Sequence, residues 1–226
     1  VIAELSKGSI HPSTAELVTA AHAYGDEPTL VVPCTDASIA NSVQSLSGVS
    51  KIIAVKSDVF GGSDSSGWAS ALDSAIPSGT VLCLATTRSK DVAARLAARR
   101  NISVVQDVTG IDGTNLTSPI YSGKANQTVS VSGEAVITVR ANVFDSVGND
   151  GSCDVSVVDA SGDVKTAVQE ILQRANTRLD VSEANIVISG GRGMGSPANF
   201  AHLEAVADTI GAAVGASRAA VDTWAE

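Results

Sequence analysis

The sequence predicts an α/β protein: an N-terminal doubly wound, mostly parallel sheet with added antiparallel strands, followed by a smaller C-terminal α/β unit. Three observations carry this. Short apolar runs alternate with amphipathic helical patterns up to about residue 106, the βαβαβ signature of a parallel sheet. Hydrophobic residues make up 44% of the 226 positions but aromatics only 3%, so the cores are built from Val, Ile, Leu and Ala, as suits parallel strands under helices. A second strand, glycine loop, helix, strand pattern closes the chain.

In chain order, residues 1–5 read as a first strand and 13–24 as a helix capped by Ser13, with Leu17, Val18 and Ala21 inward and Gly25 as its stop. Residues 29–32 form a second strand that Pro33 ends. Asp36 caps a helix to Leu46, and 51–55 form a third strand. The Gly- and Ser-rich stretch 58–67 has the length of a surface loop. Residues 66–76 are a helix, 80–85 a fourth strand, and Ser89 caps a helix to Arg100 whose basic end suits the macrodipole. Residues 102–106 are a fifth strand. The loop 85–90 could hold an anion, but capping by Ser89 accounts for it and no glycine cradle accompanies it.

Beyond this the pattern changes. Residues 116–122, 128–132 and 135–139 are short β-branched runs separated by turns such as Ser132-Gly133-Glu134, which predicts antiparallel strands added to the sheet. Arg140 ends the last of these in a structural place or at a subunit face. Residues 154–158 are another strand, and Val164, Ala167, Val168, Ile171 and Leu172 suit a short helix. The polar stretch 176–184 reads as a linker, which divides the chain into 1–180 and 181–226.

After the linker, 186–189 is a β-branched run with the pattern of a strand buried on both faces. The glycines behind it allow positive φ and close backbone approach to a ligand. Ser196 and Pro197 suit a helix start. Phe200, Leu203, Val206, Ala207 and Ile210 then recur at helical spacing until Gly211. Residues 212–216 form a last strand leading into Ser217 and Arg218. Both loops therefore open at one carboxyl edge of a parallel sheet, where open α/β sheets bind ligands. Each carries an arginine, Arg192 and Arg218, whose planar, permanent charge favours phosphate or an electron-rich ring.

The net charge of −9 argues against nucleic acid or an anionic membrane surface as partner. No apolar run approaches the roughly 20 residues a membrane span needs. Cys34, Cys83 and Cys153 are isolated, and His11, His22 and His202 show no ligand spacing, so no metal site or disulfide framework is expected. The glycosylation-type triplets at Asn101, Asn115 and Asn126 read as coincidence.

Val187-Ile188-Ser189-Gly190-Gly191-Arg192-Gly193 and Val214-Gly215-Ala216-Ser217-Arg218-Ala219-Ala220-Val221-Asp222 resemble the two opening motifs of the FAD domain in the α-subunit of electron transfer flavoprotein. Ser118-Pro119-Ile120-Tyr121-Ser122-Gly123-Lys124-Ala125 and Val136-Ile137-Thr138-Val139-Arg140 resemble the middle of the same family. The resemblance implies an adenine nucleotide α-hydrolase-like N-terminal domain and a DHS-like FAD domain. It implies an electron carrier rather than an enzyme, paired with a β-subunit as a heterodimer and located in the bacterial cytoplasm or mitochondrial matrix. Electrons arrive from primary dehydrogenases, such as the acyl-CoA dehydrogenases of fatty acid β-oxidation, and leave to another redox protein while the FAD domain swings between positions. By the same resemblance Arg192 is an FAD contact beside the flavin and its phosphates, Ser217 hydrogen-bonds the cofactor, Arg218 lies against the isoalloxazine ring, and Gly191 and Gly193 allow close approach. AMP sits in the family's β-subunit, and the α-subunit's first domain is not the nucleotide-holding one.

The family's later motifs, including a Gln-Thr-Gly loop and an Asn-Lys-Asp turn, do not occur in the sequence, which predicts an incomplete FAD domain and doubtful FAD binding by this chain alone. Two other readings stay open. Gly193-x-Gly195-x-x-Ala198 fits the dinucleotide fingerprint, so an NADP-binding oxidoreductase is conceivable, with no catalytic His, Tyr or Lys constellation beside it. The other is a cofactor-free scaffold that only docks a β-subunit.

Overall fold

The computed structural model describes residues 1–6, 8–25, 27–167, 178–181 and 184–224. They divide into two units, Val1–Gln169 and Glu170–Glu226.

In the first unit the elements are β1 (Leu5–Ser6), β2 (Ser9–Ile10), α1 (Thr14–Tyr24), β3 (Thr29–Cys34), β4 (Lys51–Lys56), α2 (Ser65–Ala75), β5 (Val81–Leu84), α3 (Thr87–Arg100) and β6 (Ser103–Val108). After these come β7 (Gly110–Asp112), β8 (Asn115–Ile120), β9 (Ala125–Ser130), β10 (Ala135–Val139) and β11 (Val155–Asp159). One half of the central sheet runs β11-β4-β3 and the other β5-β10-β6, all parallel. The first residues join the halves. Ala3 donates its N–H to Val31 O at 2.8 Å and Ile2 donates to Leu82 O at 2.8 Å. The chain thus starts in the middle of the sheet, winds outward through β3 and β4, and returns to the other side at β5.

Alternation along the strands separates the faces. Val31, Ile53, Val55, Val81 and Val136 pack with Trp68 and Leu72 of α2 and Leu96 of α3. Leu30, Val32, Ile52 and Ala54 turn the other way, onto Ala40 and Val43 of the 3-10 helix Ala37–Val43. Leu82, Leu84, Ile137 and Val139 meet Leu17 and Ala20 of α1.

Several expectations are corrected here. Residues 135–139 do not form an added antiparallel strand: β10 is parallel and lies between β5 and β6. Its residues Ala-Val-Ile-Thr-Val are all buried, which is the continuous pattern of a strand covered on both faces. The buried Thr138 hydroxyl is satisfied by accepting Asp107 N–H at 2.9 Å. The antiparallel strands are the short pair β1–β2 and, after β6, β7, β8 and β9, a separate three-stranded meander. The helix expected to run to Leu46 is the short 3-10 helix, capped by Asp36 as anticipated. Ser13 makes no side-chain cap on α1. At α3 the cap is Thr86, whose hydroxyl accepts Ser89 N–H, so Ser89 is capped rather than capping. Arg140 is structural: it grips Asp107 with two hydrogen bonds of 2.6 and 3.2 Å. Asp107 carries a φ of 59°, so this ion pair secures a strained backbone.

Of the helix expected around residues 164–172, Val164 and Ala167 lie in a stretch without regular structure, and Val168, Ile171 and Leu172 lie outside the described residues. The polar linker 176–184 is described only at 178–181 and Ala184. The stretch that leads up to this point is tied to α2 by one carboxylate. Asp64 caps α2 through Gly67 N–H at 2.6 Å and also accepts Lys165 N–H, Thr166 N–H and the Thr166 hydroxyl. These bonds, the Thr166 hydroxyl foremost, hold its pKa down to about 2 against an ordinary 3.8. A lowered native pKa stabilises the clamp above the unfolded value and loses it on acidification. Amide exchange at Lys165 and Thr166 is therefore expected to stay slow down to about pH 4 and to accelerate as the pH falls toward 2, beyond intrinsic chemistry. In Asp64→Ala it is expected to be fast at every pH. Hydrogen–deuterium exchange across a pH series reads this directly.

The second unit holds β12 (Val187–Gly190), α4 (Phe200–Ile210), β13 (Ala213–Ala216) and α5 (Arg218–Trp224). β12 and β13 pair in parallel, Val187 to Ala213 through Gly190 to Ala216. Gly211, at φ 68°, ends α4. The expectation of a strand buried on both faces is corrected: Ile186 is 48% exposed and Val187 40%. β12 has β13 as its one strand partner among the described residues, so neither face is fully covered. For the same reason only Ala207 of the α4 stripe is buried, while Val206 and Ile210 face solvent.

Candidate functional site

The two arginine loops meet at the carboxyl edge of the β12–β13 pair. Register aligns Gly190 with Ala216, so the residues that follow, Gly191 and Ser217, leave the sheet side by side. Ser217 N–H donates to Gly190 O at 2.9 Å and stitches the second loop to the first strand. A Cβ built on Gly191 would lie 3.5 Å from Ser217 Oγ, an ordinary contact.

After Gly191 the chain makes a 3-10 turn, Arg192–Met194, closed by Met194 N–H to Gly191 O at 2.9 Å. Positive φ, anticipated for the glycines here, falls at Gly195 (77°) and not at Gly191 or Gly193. Gly193 has no other atom within 4 Å of its would-be Cβ, so it leaves open space above the turn. The tight position is Gly190. A Cβ there would come within 2.7 Å of Phe200 Cζ, 2.9 Å of Leu203 Cδ1 and 2.9 Å of Met194 Cγ. Ser196 caps a second 3-10 turn, Pro197–Asn199, that runs into α4, accepting Ala198 N–H at 3.2 Å.

The structure therefore brings Gly191, Arg192 and Gly193 on one loop beside Ser217 and Arg218 on the other. Arg192 is exposed, and its guanidinium makes no hydrogen bond or ion pair among the described residues. Arg218 is exposed, with its Nε 3.4 Å from Asp222 Oδ2 one helical turn on. Ser217 accepts Ala220 N–H at 3.3 Å and starts α5. Sequence reasoning missed three supports. Asn199 donates its side-chain amide to Met194 O at 2.6 Å and fixes the glycine turn. Phe200 and Trp224 meet edge to face with ring centroids 6.0 Å apart, joining the starts and ends of the two helices. The Arg218–Asp222 spacing of four was a visible helix-pair signal. Chemically, two guanidiniums, one hydroxyl and open backbone at a sheet edge suit an anionic, extended ligand.

Residues 1–163 match the family model described as the electron transfer flavoprotein domain, and residues 180–225 match the electron transfer flavoprotein FAD-binding domain. The chain belongs to the electron transfer flavoprotein α-subunit family. It is 33% identical to the α-subunit of Paracoccus denitrificans, over 99% of this chain and 74% of that protein. Against the α-subunit of Pseudomonas aeruginosa it is 36% identical over 98% and 74%. Against the mitochondrial α-subunit of Oryza sativa subsp. japonica it is 32% identical over 98% and 68%. Electron transfer flavoprotein α-subunits are electron carriers rather than enzymes, FAD is the cofactor of the domain matched here, and the α designation implies a heterodimer with a β-subunit. The donor set just described fits that cofactor's anionic diphosphate and its ring. No helix among the described residues is long and apolar enough to cross a membrane.

Proposed function

We propose that this chain carries electrons on FAD from primary dehydrogenases, such as acyl-CoA dehydrogenases, to a downstream redox acceptor, as the α-subunit of a heterodimer. FAD supplies the electron-transfer chemistry, and the protein binds it, positions it and sets its electrostatics. In this reading Arg192 meets the phosphates, Ser217 hydrogen-bonds the cofactor and Arg218 lies against the flavin ring, where a cation favours negative charge on it. Gly191 and Gly193 keep the backbone open to the ligand. The observation that carries the assignment is the bond from Ser217 N–H to Gly190 O, which sets both loops at one sheet edge. The parallel order of the first unit supports an adenine nucleotide α-hydrolase-like domain, with a DHS-like FAD domain beginning near residue 180. The relatives' sources support a bacterial cytoplasmic or mitochondrial matrix location.

The test is reconstitution of this chain with a family β-subunit in the presence of FAD, followed by gel filtration and flavin absorbance of the complex peak. The expected result is co-elution with bound flavin that an acyl-CoA dehydrogenase reduces when given its substrate. A complex that elutes without flavin would sink the carrier role and leave docking alone.

A further inference from the structure

The parallel sheet of the first unit has two outer strands, β11 and β6, and their open edges are guarded differently. β11 ends on exposed Asp159 and follows exposed Asp154, charges that discourage pairing with another strand. β6 has β10 as its one strand partner among the described residues, and its first four residues, Ser103-Val104-Val105-Gln106, include no charge and no proline. Val104 is 39% exposed. The first charged residue on the strand, Asp107, is already taken by Arg140 at 2.6 Å.

A trough of about 620 Å³ runs along this unguarded edge, with β6 as its floor and the β8–β9 hairpin as its wall. Alternation puts Ser118, Ile120, Gln127 and Val129 on the hairpin face that lines it. Ser118 Oγ donates to Gln106 O at 3.0 Å and holds the wall beside the floor. None of the residues lining the trough is charged, in a chain with 17% charged positions and a net charge of −9. The hairpin tip adds a second observation. Tyr121 and Ser122 hold φ values of 51° and 55°, the left-handed region that side-chain-bearing residues enter at a cost. Strain of this kind collects at ligand and partner sites. Here it carries a tyrosine that is 76% exposed, with Lys124 closing the same turn. A core without charge, an aromatic anchor and a polar rim are the marks of a protein interface. Transient redox encounters are steered by charge, which this face lacks, so it fits a permanent partner.

We propose that this trough seats the β-subunit, which lays an uncharged, extended segment along β6 and packs against Tyr121. The inference rests on the heterodimer of the proposed function and adds the surface through which it forms. Backbone hydrogen bonds to the open edge of β6 give affinity, and Ile120 and Val129 receive the apolar side chains on one face of the added strand.

Sedimentation velocity of the full chain titrated with a family β-subunit in the presence of FAD tests it. Val104→Lys on the floor and Tyr121→Ala at the tip are each expected to weaken the complex about 10- to 100-fold, the scale of an interface hot spot, with the circular dichroism spectrum unchanged. Val157→Lys on the opposite outer strand is expected to leave the affinity as it is. Amide exchange at 103–106 should slow in the complex. Full affinity in both Val104→Lys and Tyr121→Ala overturns the proposal, as does weakening by Val157→Lys alone. Self-association of the chain that Val104→Lys abolishes gives the trough to a second copy and overturns it too. No complex with the unaltered chain removes the heterodimer itself, and this surface with it. A complex that lacks flavin but is weakened by both trough variants sinks the carrier role and upholds this interface.

Discussion

Ile137→Ala is expected to lower the unfolding free energy of the first unit by about 2–5 kcal/mol, the range for emptying a large aliphatic site in a packed core. Ile137 is 0% exposed and sits in the middle of β10, with β5 on one side and β6 on the other. Its side chain joins Leu82, Leu84 and Leu17, so the void would open between sheet and α1 with no solvent face to collapse from. Val104→Ala on the edge strand β6 removes apolar atoms from a side chain that is 39% exposed, and should cost about 0.5 kcal/mol or less. Urea unfolding followed by the buried Trp68 reads the difference, with Trp224→Phe in both backgrounds to silence the second unit's indole. A β10 that was instead an added edge strand would give the two variants similar midpoints.

That experiment probes the point at which sequence reasoning and structure parted. The winding of β3, β4, β5 and β6 around three helices was legible, because short apolar runs alternated with capped helical stripes. The place of β10 was not. A short β-branched run after a Ser-Gly-Glu turn reads as a hairpin strand, and only tertiary pairing tells that it inserts between two strands already laid down. Buried Thr138 hides the same fact, since one polar residue in five breaks the apolar run. Its partner, Asp107 N–H, is 31 positions away.

Capping shows a subtler limit. Thr86 and Ser89 are both good cap residues, and sequence alone cannot decide which one leaves the helix. The decision comes from Glu4, just before β1 and far away in sequence, whose carboxylate takes both hydroxyls. At the C-terminal site the strand, glycine loop, helix, strand order and both arginines were legible. The role of the glycines was not, because conformational freedom at Gly195 and steric need at Gly190 look identical in a run of glycines. Nor does the spacing of Val206 and Ile210 show that the sheet they face is too narrow to cover them.

Arg192→Ala and Arg218→Ala are each expected to weaken FAD binding to the reconstituted heterodimer about 10- to 100-fold, since a hydrogen bond to a charged group contributes about 1.5–3 kcal/mol. The two should differ in character. The Arg192 guanidinium has no partner among the described residues, so its whole donor set is free for phosphate, and its loss should be felt equally by FAD and by ADP. Arg218 is partly engaged by Asp222 at 3.4 Å, an exposed pair that contributes little and yields to a better anion. If it lies against the flavin, its removal should weaken FAD more than ADP and shift the flavin potential downward. Ser217→Ala removes one neutral hydrogen bond and should cost less than either arginine. Fluorescence titration with FAD and ADP, paired with potentiometry, separates these outcomes. Equal loss of FAD and ADP in Arg218→Ala with an unchanged potential would move Arg218 from the ring to the phosphates. Unaltered FAD affinity in both variants would remove this sheet edge from the cofactor site altogether.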